Sequence, residues 1–114
     1  MAKSKIPDPL ERRHLVEREL SPAQALRLAE AYLAEGRSLE AVDFLRKAGA
    51  RDRLEAVRAE AIAAGDSFLL RVVATGLGET PDRASWSRLA EAADAAGKQR
   101  HAADARRQAA RGEE

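Results

Sequence analysis

SPAQALRLAEAYLAEGRSLEAVDFLRKAG, residues 21–49, predicts two helices joined by a turn around Gly36. Ser21 and Gln24 have the spacing of a capping box, and Pro22 falls at the first helical position, where its missing N–H needs no partner. Apolar residues then recur at three- and four-residue steps, which places on one helix face Ala25, Leu28, Ala29, Tyr32 and Leu33. Gly36 ends this helix, because a helix C-terminus often needs a residue that accepts positive φ.

A second helix follows almost at once in this stretch. Ser38 is its predicted N-cap, and Glu40 lies in its first turn, where a negative charge suits the helix dipole. Its apolar stripe consists of Ala41, Val42, Phe44, Leu45 and Ala48. Because the connection is only about two or three residues long, the two helices are expected to be antiparallel neighbours.

This hairpin resembles a tetratricopeptide repeat. The matching positions are Leu28-Ala29, Tyr32, Gly36-Arg37, Ala41-Val42, Phe44 and Ala48, with Ala25 where the family has a large residue. The end of the chain repeats the spacing, Trp included, but without the aromatic pair: Trp86, Leu89-Ala90, Ala93, Gly97-Lys98, Ala102 and Ala109. The resemblance implies a right-handed α-α superhelix of stacked hairpins. The turn glycines Gly36, Gly65 and Gly97 are 29 and 32 residues apart, a little below the family period of about 34.

The rest of the chain predicts further helices with their own start signals. Asp8-Pro9 precedes a short helix over residues 10–20, and Asp52 with Glu55 has capping-box spacing. Asp66 or Ser67 is expected to cap a helix whose apolar face is made by Phe68, Leu69, Val72, Val73 and Leu77, with Leu70 added. This helix is apolar over much of its surface, so we expect it to be the most buried one.

The predicted fold is therefore all-α. It has about three antiparallel hairpins, over residues 21–49, 52–78 and 80–111, and one additional N-terminal helix. Thr80 or Asp82 caps the third hairpin. Residues 9–111 are expected to form a single domain, with flexible ends over residues 1–8 and 112–114.

The composition argues against several classes of partner. The formal net charge is +1 with both signs spread along the chain, so no strong field gathers nucleic acid or a membrane surface. Cys is absent, which excludes disulfides and thiolate ligands. Neither a secretory signal nor a membrane span is expected, because Met1 is followed by no apolar run. We therefore expect a cytoplasmic protein without a membrane partner.

No residue set predicts chemistry. His14 and His101 are far apart, and the pair His101 and Asp104 is at most half of a metal site. The serines at helix starts are explained as caps. We therefore expect no catalytic residues, no metal and no cofactor, and the protein is predicted not to be an enzyme.

The family resemblance implies a binding groove for a peptide or a helical segment of another protein. In that family the groove is lined by the first helix of each hairpin. The corresponding positions are Leu26, Glu30, Leu33, Glu55, Ala59, Ile62, Ser87, Glu91 and Asp94, with Arg27 and Arg88 on the flank. An apolar floor with acidic edges favours an apolar or basic helical segment. The N-terminal helix could instead cap the first hairpin or lie in the groove.

Two alternatives stay open. A nucleic-acid-binding regulator would use the basic junction formed by Arg46, Lys47, Arg51, Arg53 and Arg58. Acidic residues interleave with that junction and no aromatic residue lies beside it to stack on a base, so nucleic acid is the less favoured partner. The other alternative is homo-oligomerisation, in which a second copy of the chain covers the apolar groove positions.

Overall fold

A computed structural model describes residues 6–111 and confirms that this part of the chain is all-α. It contains no strand, and its helices are α1 (Pro9–Glu17), α2 (Pro22–Ala34), α3 (Ser38–Lys47), α4 (Arg51–Ala64), α5 (Ser67–Leu77), α6 (Arg83–Ala95) and α7 (Gln99–Arg111). None of these helices combines the length and the apolar composition that crossing a bilayer requires.

The chain divides into two compact units, an N-terminal unit that ends at Leu54 and a C-terminal unit that begins at Glu55. The single domain over residues 9–111 stays a prediction. Of the predicted flexible ends, residues 1–5 and 112–114 lie outside the described part. Asp8 is the N-cap of α1, where its Oδ1 accepts a hydrogen bond of 2.9 Å from the Glu11 N–H.

Helix α1 is shorter than the sequence predicts. It ends at Glu17, and Arg18 is already extended, with φ −88° and ψ 149°. Ser21 is extended as well, since it is both the N-cap of α2 and the residue before Pro22. The chain therefore crosses from α1 to α2 as an extended segment and not as a continued helix.

The predicted capping box at the start of α2 is confirmed, whereas the predicted cap of α3 is wrong. The Gln24 N–H donates to Ser21 Oγ at 3.2 Å, and the Ser21 N–H donates to Gln24 Oε1 at 3.1 Å. Helix α3 instead begins at Ser38 itself, with Arg37 as a cap that makes no side-chain bond. Ser38 is buried at this helix start, so its side chain is packed inside the unit.

The core of the N-terminal unit surrounds one aromatic pair. The rings of Tyr32 and Phe44 stack with centroids 5.7 Å apart, and both side chains are fully buried. The Arg12 guanidinium of α1 lies 5.5 Å from each centroid. Its Nη2 donates to the Glu40 carbonyl at 2.8 Å and lies 3.3 Å from Asp43 Oδ2. Arg12 therefore fixes α1 against the hairpin of α2 and α3.

The C-terminal unit has α5 as its most buried helix, as predicted, but with a rotated apolar face. Leu70 and Ala74 are buried, whereas Phe68 is 57% exposed. Helix α4 also differs at its start: it begins at Arg51, which places Asp52 inside the first turn and not at the predicted N-cap. Asp66 caps α5, with its Oδ1 accepting from the Leu69 N–H at 3.0 Å.

The turn between α4 and α5 approaches α6 so closely that only glycine fits. Gly65 has φ +69°, and a Cβ added there would lie 2.5 Å from Ala93 Cα and 2.6 Å from its nitrogen. Helices α6 and α7 pack on each other through mostly small residues, and the buried ones are Trp86, Leu89, Ala90, Ala93, Ala102 and Ala105. Alanines thus make up four of the six buried residues of α6 and α7.

Candidate functional site

The predicted groove residues belong to both units. Leu26, Glu30 and Leu33 lie on α2 in the N-terminal unit, whereas the C-terminal unit contains Glu55, Ala59, Ile62, Ser87, Arg88, Glu91 and Asp94. These residues fall in two separate compact units, and a continuous groove across the three hairpins stays a prediction.

Four of the predicted positions, Glu55, Ala59, Ile62 and Arg88, come together around one cavity of the C-terminal unit. This cavity, called the C-terminal cavity below, has a volume of about 550 Å³. Its lining residues come from α4, from the loop before α6 and from α6, and they are Glu55, Arg58, Ala59, Ile62, Glu79, Thr80, Pro81, Asp82, Ser85 and Arg88. The sequence therefore located two walls of the cavity and missed the loop over residues 79–82 that forms the third.

Most charges around the C-terminal cavity are already engaged within the unit. Arg58 Nη1 lies 2.6 Å from Glu79 Oε1, and its Nη2 lies 4.0 Å from Glu55 Oε1. Asp82 caps α6 and accepts from the Ser85 N–H at 2.7 Å. That backbone hydrogen bond is the main reason why the pKa of Asp82 lies below its usual value.

Arg88 is the exception at this cavity. Within residues 6–111, no carboxylate oxygen lies within 4.0 Å of its guanidinium, and the side chain is exposed on α6. Its charge also acts on Asp82, where it contributes to the lowered pKa. The cavity therefore presents one guanidinium without an ion pair of its own beside a small apolar floor of Ala59, Ile62 and Pro81.

The remaining C-terminal positions lie outside the cavity lining. Ser87 and Glu91 are exposed on α6, and Asp94 is ion-paired with Arg106 of α7. These three side chains of α6 therefore do not line the C-terminal cavity.

The N-terminal positions are not gathered in one cavity. Leu26 lines a cavity of about 340 Å³ with residues 49–53. Glu30 is instead ion-paired with Arg53, with Nη2 and Oε1 2.9 Å apart, and Leu33 is half-buried. The predicted acidic edge at Glu30 is thus neutralised by a partner from α4.

The basic junction is likewise partly neutralised. Arg53 pairs with Glu30, and Lys47 Nζ donates to the Arg18 carbonyl at 3.1 Å. In the C-terminal unit Arg58 pairs with Glu79. These contacts lower the positive potential available to a phosphate backbone. Nucleic-acid binding by this junction stays a prediction.

A polar cluster between α5 and α7 brings together a serine, a histidine and a carboxylate. Ser67 Oγ lies 2.9 Å from His101 Nδ1, and the Ser67 backbone N–H donates to the same nitrogen at 3.1 Å. Asp104 accepts from Ser67 and from Arg71. Burial raises the pKa of Asp104, but these hydrogen bonds and the Arg71 charge outweigh it and hold the pKa below its usual value.

This cluster is built to join two helices. Ser67 is only 4% exposed, so its hydroxyl is closed to a substrate. His101 accepts a hydrogen bond from an N–H at the start of α5. The first N–H groups of a helix have no partner within the helix, and side chains often accept from them. Sequence reasoning missed the contact because the two residues are 34 positions apart. Within residues 6–111 no group of three or more potential metal-binding side chains gathers.

Comparison of the chain with protein-family models, curated proteins and solved structures gives no match. The functional proposal therefore depends on the geometry of the cavities.

Proposed function

We propose that this protein is a non-enzymatic interaction module that binds a segment of another protein in the C-terminal cavity. One observation carries the proposal: Glu55, Ala59, Ile62 and Arg88, chosen from sequence as groove positions, line the same cavity. Its volume of about 550 Å³ is within the range of ligand-binding clefts, about 300–1,000 Å³. We also propose that the helical hairpins are stacked as in tetratricopeptide repeats, in a right-handed superhelix.

The chemistry of the cavity favours a segment with an apolar side chain beside a carboxylate. Ala59, Ile62 and Pro81 supply an apolar floor, and Arg88 supplies a cation for the carboxylate. The sequence alone favoured an apolar or basic segment, because Glu55 was counted among the acidic edges of the groove. Arg58 pairs with Glu55 and with Glu79, which weakens that preference.

Two pairs of variants test the proposal. Ala59→Trp fills the cavity from an exposed helix position, and Ala103→Trp makes the same change on α7 outside the cavity lining. Arg88→Glu reverses the charge of the guanidinium that has no ion pair of its own at the cavity. Arg100→Glu is the control, because it makes the same change at an exposed position of α7. Each protein is used to capture partners from an extract of the native cell, with nuclease added, and the bound proteins are quantified by mass spectrometry.

We expect Ala59→Trp and Arg88→Glu to lose the partner that wild type, Ala103→Trp and Arg100→Glu retain. Retention of the same partner by all five proteins would contradict binding in this cavity. If a parallel capture without nuclease retains nucleic acid that is released steeply with rising salt, the basic junction is the functional surface instead. Circular dichroism of each variant verifies that the helices are intact.

A further inference from the structure

The N-terminal unit has a second concave surface, which shares only the flanking Arg27 with the groove positions predicted from sequence. It lies where the extended segment after α1 crosses to α2, and its volume is about 340 Å³. We call it the N-terminal groove. Its floor is apolar and consists of Leu15, Leu20, Leu28 and Ala31, and Arg18 and Arg27 stand at its rim.

The leucines of this floor are incompletely covered. Leu28 belongs by periodicity to the core stripe of α2, where Ala25, Ala29 and Tyr32 are fully buried, yet Leu28 itself is only half-buried. Leu15 and Leu20 are half-buried as well. The cause is the early end of α1 at Glu17, which leaves an extended segment in place of a helical turn over this part of α2.

The charges at the rim have one sign. Within residues 6–111 no carboxylate oxygen lies within 4.0 Å of the Arg18 or Arg27 guanidinium. The acidic residue one turn after Arg27 is Glu30, and Arg53 already binds it at 2.9 Å. Glu19 is exposed and is not part of the lining.

We propose that the N-terminal groove binds an acidic amphipathic helix of a partner protein. Such a helix places apolar side chains at i, i+3, i+4 and i+7 on the leucine floor, and its flanking carboxylates pair with Arg18 and Arg27. Charge complementarity selects this occupant, because a basic helix would meet two unpaired cations. The proposal is independent of the C-terminal cavity, whose lining shares no residue with this groove.

Calorimetric titration of the full chain with designed peptides tests the proposal. The probe is an amphipathic peptide of about 18 residues, long enough to form a helix, with leucines on one face and glutamates beside them. Matched peptides replace every glutamate with glutamine or with lysine. We expect the glutamate peptide to bind most tightly and the lysine peptide most weakly.

The protein variants locate the binding. Arg18→Glu combined with Arg27→Glu should weaken the glutamate peptide about tenfold and strengthen the lysine peptide, because two rim pairs become repulsive. Arg46→Glu changes an exposed charge in the same unit outside the groove and should leave both affinities unchanged. Ala31→Trp fills the floor and should abolish binding of every peptide.

Three results would overturn the proposal. Equal affinity for the glutamate and lysine peptides would show that the rim does not select charge. An equal loss in Arg46→Glu would show that only the overall charge matters. A concentration-dependent dimer in sedimentation that Ala31→Trp dissociates would assign the groove to a second copy of the chain.

Discussion

The two units are packed in different ways. The N-terminal unit has two stacked aromatic rings beneath a guanidinium group, whereas in the C-terminal unit a turn glycine lies against a helix and helices α6 and α7 contact each other mainly through alanines. In the first unit the centroids of Tyr32 and Phe44 are 5.7 Å apart, and Arg12 lies over both rings. In the second, Gly65 has no room for a side chain against Ala93. Large side chains supply contact area, and small ones permit backbones to approach, so the two units should respond to opposite kinds of mutation.

The largest effect is expected from Gly65→Ala in the C-terminal unit. Positive φ for a residue with a Cβ costs about 1–2 kcal/mol, and the contact with Ala93 adds an overpacking cost of about 1–3 kcal/mol. We expect a total loss of about 3–4 kcal/mol in urea denaturation followed by circular dichroism. Gly36→Ala is the matched control, because it has φ +72° and open space around it, and should lose only about 1–2 kcal/mol. Equal losses in both would contradict the close approach at Gly65.

The next effect is the loss of the cation over the aromatic pair. Arg12→Ala removes a charged hydrogen bond to the Glu40 carbonyl and contacts with two ring faces, together about 2 kcal/mol. Hydrogen exchange of the α1 amides should accelerate, because Arg12 fixes this helix. Arg13→Ala breaks only an exposed pair with Glu17 and should change stability by less than about 0.5 kcal/mol. Unchanged hydrogen exchange of the α1 amides in Arg12→Ala would show that other contacts hold α1 against the hairpin.

Acid should weaken the C-terminal unit through Asp104. Its pKa is lowered on folding, so its contribution is fully present above the usual value of 3.8 and is lost as the pH falls through the lowered folded-state value. Asp104→Asn should cost about 1.5 kcal/mol at neutral pH, because it removes charged hydrogen bonds. Denaturation of both proteins across the pH range checks this. If the difference in unfolding free energy between wild type and Asp104→Asn stayed the same in strong acid, the stabilisation could not come from the ionised carboxylate of Asp104.

The smallest effect concerns the cap that begins α2. Ser21→Ala removes the acceptor of the Gln24 N–H and should lower stability by about 1 kcal/mol. Ser87→Ala is the control, since Ser87 lies exposed inside α6, where alanine has the higher helix propensity. A stabilising Ser21→Ala would contradict the cap.

Local signals predicted much of the fold. The capping box of Ser21 and Gln24, the turn glycines and the stripe of Trp86, Leu89, Ala90 and Ala93 all depend on residues within a few positions of one another. Their outcome is set by backbone geometry, so it can be read from sequence. The same holds for the two helical walls of the C-terminal cavity.

Contacts between distant residues could not be predicted. Arg12 reaches Glu40 across 28 positions, and His101 reaches Ser67 across 34. Neither contact follows from a periodic pattern or a capping pattern, and charged side chains were expected to face solvent. The paired state of Glu55 and Glu79, which changes the expected chemistry of the ligand, was missed for the same reason.

The two packing schemes also give each unit its own optical reporter. The chain has one tyrosine and one tryptophan. Tyr32 is fully buried in the N-terminal unit, and Trp86 is 4% exposed in the C-terminal unit. Fluorescence excited at wavelengths that only the indole absorbs therefore follows the C-terminal unit, and second-derivative absorbance, which separates the phenol band from the indole band, follows the N-terminal unit. One unlabelled sample can thus reveal whether the two halves melt together or in sequence.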